Sequence, residues 1–171
     1  MHLAQLNIAK PLAALDSPQL AEFVDNLDTI NALAENSPGF VWRLMDADND
    51  ATAFRFSSAS DAIVFDAIVF DAIVFDATVN DAIVNMSVWL TAEHLKTFVY
   101  DTVHVQFLQR KSDWFHKLAN AHQVMWWVPE GHRPTLAEAE QRLQRLHIDG
   151  ESPEAFTFRW LGRQQKSGRA T

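Results

Sequence analysis

Residues 61–85 read DAIVF DAIVF DAIVF DATVN DAIVN, five tandem units of five residues. A period of five suits neither regular element. Side chains alternate along a strand, so an odd period sends successive Asp residues to opposite faces. On a helix each unit turns by about 500°, and the Asp residues spiral around every side. Repeat architectures use units of about 20 residues or more, so this run specifies no solenoid, and its near-identity points to recent duplication. Its Ile, Val and Phe content favours extended structure. The last unit runs directly into Met86, Ser87, Val88, Trp89 and Leu90, a plausible buried strand. It is therefore read as native, and residues 61–80 as an insertion whose removal leaves the fold intact.

The fold must then be specified by the other 151 of the 171 residues, a length that suits one domain. Hydrophobic residues make up 48% and charged residues 21%, enough apolar material for a sizeable core and too few charges for global disorder. The formal charge of −8 includes four Asp of the insertion, so it falls to −4 without them. Such a surface repels a nucleic-acid duplex, and Arg163, Lys166 and Arg169 are too scattered to reverse that. No cysteine is present, which excludes disulfides, thiol catalysis and thiolate metal sites. The first ten residues lack a basic stretch followed by an apolar one, so no signal peptide is read there. An Asp or Asn every five residues makes 61–85 a poor membrane span. The expectation is a cytoplasmic protein with neither membrane nor nucleic-acid partner, ending in a flexible tail over 161–171.

Periodicity orders the elements. His2–Ala9 alternates as a first strand. Ser17 and Pro18 are expected to cap and open a helix carrying Leu20, Phe23, Val24, Leu27 and Ile30 to about Ala34. A Ser37-Pro38-Gly39 turn leads to a strand over 40–45, and 51–56 reads as a further extended segment. A strand over 83–90 follows, then a helix capped by Thr91 and expected to run unbroken to about Leu118. A strand over 124–128 comes next. Thr135-Leu136-Ala137-Glu138 matches a capping box and opens a helix with Leu136, Ala139, Leu143 and Leu146 on one face, stopped by Gly150. Phe156, Phe158 and Trp160 alternate as a last strand. The order contains the split βαβ pattern of a ferredoxin-like α+β domain over 1–160, with an extra C-terminal helix and strand. Helices on one face of such a sheet leave the other to be covered, which predicts a homodimer with sheets packed face to face.

Six segments together resemble a known family: PGFVWRL at 38–44, NMSVW at 85–89, FVYDTVH at 98–104, WF at 114–115, MWWVPEGHRPT at 125–135 and EAFTFR at 154–159. They are similar to a bacterial family of unknown function in the dimeric α/β-barrel superfamily, which also holds antibiotic-biosynthesis and haem-degrading monooxygenases. The resemblance covers about residues 2–60 and 81–160 and leaves out the repeat. It implies a dimeric α/β barrel.

On an unbroken second helix, His104 shares an arc with Tyr100, Val103, Phe107, Leu108, Trp114 and Phe115. A His among aromatics can be a desolvated general base or a haem ligand, and Tyr100 stands with it as a catalytic candidate. The plain alternative is a core histidine bonded to a carbonyl. Asn7, on the first strand, could orient a substrate or oxygen, or be a polar rim residue. The resemblance adds that haem-degrading members use an Asn at a similar place, with a Trp and a His on the second helix. Here Phe98 and Tyr100 stand where that Trp is wanted, and the spacing from Trp89 to His104 is short, which weighs against haem degradation. Arg110 could hold an anion bidentately, or form a surface ion pair. Trp89, Phe107 and Trp114 are taken as pocket walls. Trp126 and Trp127 face opposite sides of their strand, the second lining a cavity. His132 precedes a helix N-terminus, which is either an anion site or a helix-opening loop. The His residues show no HxxxH or HExxH spacing and no Gly-rich phosphate loop occurs, so neither a metal site nor a nucleotide site is expected.

Three readings of function follow. The leading one is a cofactor-independent, monooxygenase-like domain binding a small apolar or aromatic ligand beside His104. The alternatives are a non-catalytic dimeric interaction module and a haem-binding protein with His104 as ligand.

Overall fold

The computed structural model describes residues 1–45, 82–118 and 120–167; the repeat units at 61–80, read above as an insertion, and the segment at 51–56 lie outside them. The described chain forms β1 (His2–Ala9), α1 (Ala21–Glu35), β2 (Phe40–Arg43), β3 (Ile83–Trp89), α2 (Ala92–Asp101), α3 (His104–Gln109), β4 (Gln123–Val128), α4 (Leu136–Asp149) and α5 (Phe158–Ser167). The four strands make one antiparallel sheet in the order β2-β3-β1-β4. Each of the two central strands splits a βαβ unit, which is the ferredoxin-like arrangement.

Register sorts the side chains. Leu3, Gln5 and Asn7 of β1 stand opposite Trp89, Ser87 and Asn85 of β3, and opposite Trp127, Met125 and Gln123 of β4. On this face lie α1, α2 and the start of α5, whose Ile30, Leu33, Ala34, Leu95, Phe98 and Phe158 pack with Leu3, Trp89 and Met125. Ala4, Leu6 and Ile8 share the other face with Val84, Met86, Val88, Val124, Trp126 and Val128, and α4 contributes Ala139, Leu143 and Leu146 there. Every sheet residue of this second cluster is at most 2% exposed in the single chain. The apolar residues of this face are thus out of solvent in the single chain, with α4 packed against the edge strand β4.

Three sequence expectations about helices and strands are corrected. Ser17 does not cap α1. The chain turns twice, with Ser17 N–H on the Ala14 carbonyl and Leu20 N–H on the Ser17 carbonyl, each at 3.0 Å. Leu20, fully buried, enters the core as the N-cap, and the helix starts after it. The second helix does cap on Thr91, whose Oγ1 accepts from His94 N–H, but it breaks at Thr102. Thr102 is extended, its hydroxyl donates to the Phe98 carbonyl at 2.6 Å, and it accepts from His104 N–H at 3.2 Å. A threonine offering the backbone a local partner competes with helical hydrogen bonding. The chain then continues as α3 and a single 3-10 turn at Lys111–Asp113.

The third correction is at the C-terminus. Phe156 alone bridges to Met125, through both backbone bonds at 2.8 and 2.9 Å, and Phe158 already opens α5. Alternation over five residues cannot distinguish a strand from one paired residue followed by a helix. Glu151 bonds Thr157 Oγ1 and Arg163, fastening the first turns of α5. The helix also takes up residues 161–167 of the expected tail. Elsewhere the expectations hold: Thr135 caps α4 through Glu138 N–H at 3.1 Å, and Gly150 ends it at φ +78°. No helix among the described residues is long and apolar enough to cross a membrane.

Candidate functional site

β2 pairs with β3 through an irregularity. Phe40 faces Trp89, but Trp42 faces Val88 and Arg43 faces Ser87, so one extra residue stands between Phe40 and Trp42. A bulge of this kind re-aims the side chains beyond it. It sends Trp42 to the α4 side and turns Arg43 onto the face that carries α1 and α2. Arg43, Ser87 and Gln5 consequently occupy one transverse row on adjacent strands. They are also the three buried polar residues of the described chain, at 4, 7 and 6% exposure.

The row is tied together. Arg43 Nε donates to Glu35 Oε1 of α1 at 2.6 Å. Gln5 Nε2 donates to Asn85 Oδ1 and to Ser87 Oγ, both at 3.0 Å. Trp89 Nε1 donates to Ser87 Oγ at 2.9 Å. Asn85 is exposed and Asn7 half-buried, so the row opens toward solvent along β1 and β3. At its inner end Trp89 stacks on Phe98 at 5.2 Å, and Phe98 lies 4.8 Å from the His104 ring.

The expected site residues do not assemble as one pocket. Asn7 lies on the row's face, opposite Asn85 and Gln123, and makes no side-chain hydrogen bond among the described residues. His104 is the first residue of α3, with Nδ1 3.3 Å from the Val99 carbonyl. The carbonyl bond is of the kind the plain alternative described, made here by a half-buried ring. Burial holds its pKa below the ordinary 6.5, opposed by the Val99 bond. Tyr100 is 44% exposed and meets Phe158 edge-on at 5.9 Å, because the break at Thr102 dissolves the arc that joined it to His104. Trp89 is a fully buried core residue. Phe107 stacks on Trp114 at 6.0 Å, and Trp114 lies 6.0 Å from Phe23 of α1. Arg110 is spent on the surface: both terminal nitrogens reach Glu22 at 2.5 and 2.8 Å, Nε reaches Asp113 at 3.0 Å, and the guanidinium lies over Trp114. Trp126 is core, Trp127 packs on Phe156, and His132 Nε2 lies 2.7 Å from Glu138 in a helix-opening loop.

Sequence reasoning missed Gln5, Arg43, Asn85 and Ser87. Gln5 and Ser87 had a signal, since both sit between apolar residues in strands read correctly. Arg43 had none, because its orientation follows from the bulge.

His104 and His122 give the site region a pH dependence. Burial lowers both, so both are neutral near pH 7. The unfolded chain takes up protons near 6.5 while the folded chain does so only at lower pH. Their contribution is complete above about pH 6.5 and is lost as pH falls below it. The melting temperature should be flat from pH 7 to 8 and decline below about 6.5, and the decline should be shallower in His104→Gln. A decline of equal steepness in that variant would show that His104 is not linked to folding.

A family model described as a domain of unknown function, DUF3291, matches residues 2–170, and the chain belongs to that family. Neither a curated protein nor a solved structure matches it.

Proposed function

We propose that this DUF3291 protein binds a small ring-shaped molecule carrying a carbonyl, carboxylate or phenolate group, held over the Arg43–Ser87–Gln5 row. One observation carries the reading: the buried polar side chains of the described chain stand side by side in a single row. Burying polar groups costs stability unless each is partnered, and concentrating them on one stretch of sheet is the mark of a site rather than of a core. Ser87 Oγ receives N–H donors from both Gln5 and Trp89. Both lone pairs are then engaged and its O–H is left to donate. That O–H suits an acceptor on the ligand.

Monooxygenase-like turnover without a cofactor, with the neutral His104 as base, belongs to the same proposal through the resemblance to the dimeric α/β-barrel superfamily. So does a homodimer, which light scattering reads. Haem is a poor fit. His104 Nδ1 is on a carbonyl, its ring is against Phe98, and Tyr100 points outward.

The test is a thermal-shift screen of aromatic carboxylates, phenols and quinones. A compound present at about a hundred times its Kd should add about 2.7 kcal/mol of stability. Asn7→Ala removes no side-chain bond, so it should change the free protein by no more than about 0.5 kcal/mol while weakening the compound severalfold. A screen in which nothing raises the melting temperature sinks the proposal. It would favour the non-catalytic interaction module, which the carbonyl-bonded His104 supports independently. Haemin run alongside separates the third reading: a Soret shift unchanged in His104→Ala removes that residue as a ligand.

A further inference from the structure

A concavity lies where the turn after α1 meets α2. It has a volume of about 150 Å³ and is lined by Ser37, Pro38, Glu93, His94, Thr97, Phe98 and Thr102. A dry cavity of about this size takes one benzene ring. Pro38 and Phe98 supply apolar surface, and Glu93 supplies a formal negative charge.

The polar groups around it are fixed in place. His94 Nδ1 lies 3.0 Å from Thr91 Oγ1, which leaves Nε2 as the ring nitrogen open to a ligand. The imidazole rests directly on the backbone of Gly39, so close that no side chain could stand there. Ser37 and Thr102 spend their hydroxyls on the carbonyls of Leu33 and Phe98. Glu93 Oε1 accepts from Gln165 Nε2 of α5 at 3.2 Å. Its own backbone N–H, then Thr91, hold its pKa below the ordinary carboxylate value, so it is ionised at neutral pH. A cation is the complement of that charge. A metal ion would want a third protein ligand, and no group of three or more His, Asp or Glu residues gathers among the described residues.

We propose that this concavity binds a small primary amine, its ammonium donating to Glu93 and its hydrocarbon body lying between Pro38 and Phe98. The size admits about one ring or a short branched chain, and the charge selects the amine over an alcohol of the same shape. The site is independent of the Arg43 row and stands or falls without it.

Benzylamine titrated into the ¹⁵N-labelled full-length protein tests the assignment, with benzyl alcohol as the uncharged isostere. Saturable shifts are expected at the amides of Glu93, His94, Thr97 and Phe98. Glu93→Gln should weaken benzylamine at least fivefold, and benzyl alcohol should bind no better than benzylamine does to that variant. Thr97→Leu, at an exposed position, fills the concavity and should abolish the shifts with the fold retained. Benzyl alcohol binding as well as benzylamine, or affinity unchanged in Glu93→Gln, overturns the amine assignment. Shifts that fail to saturate, or that centre on Gln5 and Ser87 instead, overturn the site.

Discussion

Replacing Gly39 by alanine is expected to destabilise the domain by about 2–5 kcal/mol. Two costs combine. Gly39 sits at φ +79°, where an L side chain is strained by about 1–2 kcal/mol. An added Cβ would also overlap the His94 imidazole, with His94 Cβ only 2.6 Å away. The imidazole cannot simply swing clear, since Nδ1 is held at Thr91 Oγ1 and Thr91 caps α2. Moving the ring strains the cap, and moving the turn strains the Leu90 N–H bond to the Gly39 carbonyl, 2.7 Å long. Chemical denaturation of Gly39→Ala beside His94→Ala and the double variant tests this. The double variant removes the imidazole but keeps the Cβ at 94 and the positive φ, so it should recover only part of the loss. A single variant within about 0.5 kcal/mol of the parent would show that the turn and α2 are not packed as described.

Gly39 also shows what sequence can and cannot reveal. Ser37-Pro38-Gly39 announces a turn from composition alone, and β2 and β3 followed from their apolar runs. The Thr91 and Thr135 caps were legible because a hydroxyl and a helical run are adjacent in sequence. The helix break at Thr102 was not. Threonine is tolerated in helices, and its two bonds to Phe98 and His104 are visible only once the chain has turned. That break displaced the site: on a continuous helix His104 and Tyr100 share a face, whereas here one is tucked against Phe98 and the other is exposed. The bulge between Phe40 and Trp42 had the same effect in the opposite sense. It brought Arg43, an ordinary strand-end arginine by sequence, into the row with Ser87 and Gln5. Arg110 and His132 were found where their plain alternatives put them, in a surface ion pair and a helix-opening loop.

The largest single loss is expected at Trp126, whose replacement by alanine should cost about 3–5 kcal/mol. The residue is fully buried on the α4 face of the sheet, and its removal leaves a void among Leu6, Val124, Ala139 and Leu143. It does more than fill space. Its Nε1–H donates to Glu138 Oε1 at 2.9 Å, and the other carboxylate oxygen lies 2.7 Å from His132 Nε2. Glu138 N–H in turn donates to the Thr135 cap. One tryptophan thereby joins the sheet to the first turn of α4 and to the loop before it. Loosening that turn exposes the apolar side chains that α4 packs against on this face. Trp126→Phe separates the two contributions: it keeps most of the volume and loses the hydrogen bond, at an expected cost of about 1–3 kcal/mol. Denaturation midpoints give the energies and light scattering gives the consequence. Trp126→Ala should bind hydrophobic dye or associate at micromolar concentration where the parent does not. If Trp126→Phe were as costly as Trp126→Ala, the bond to Glu138 rather than the packing would be what fastens α4 to the sheet.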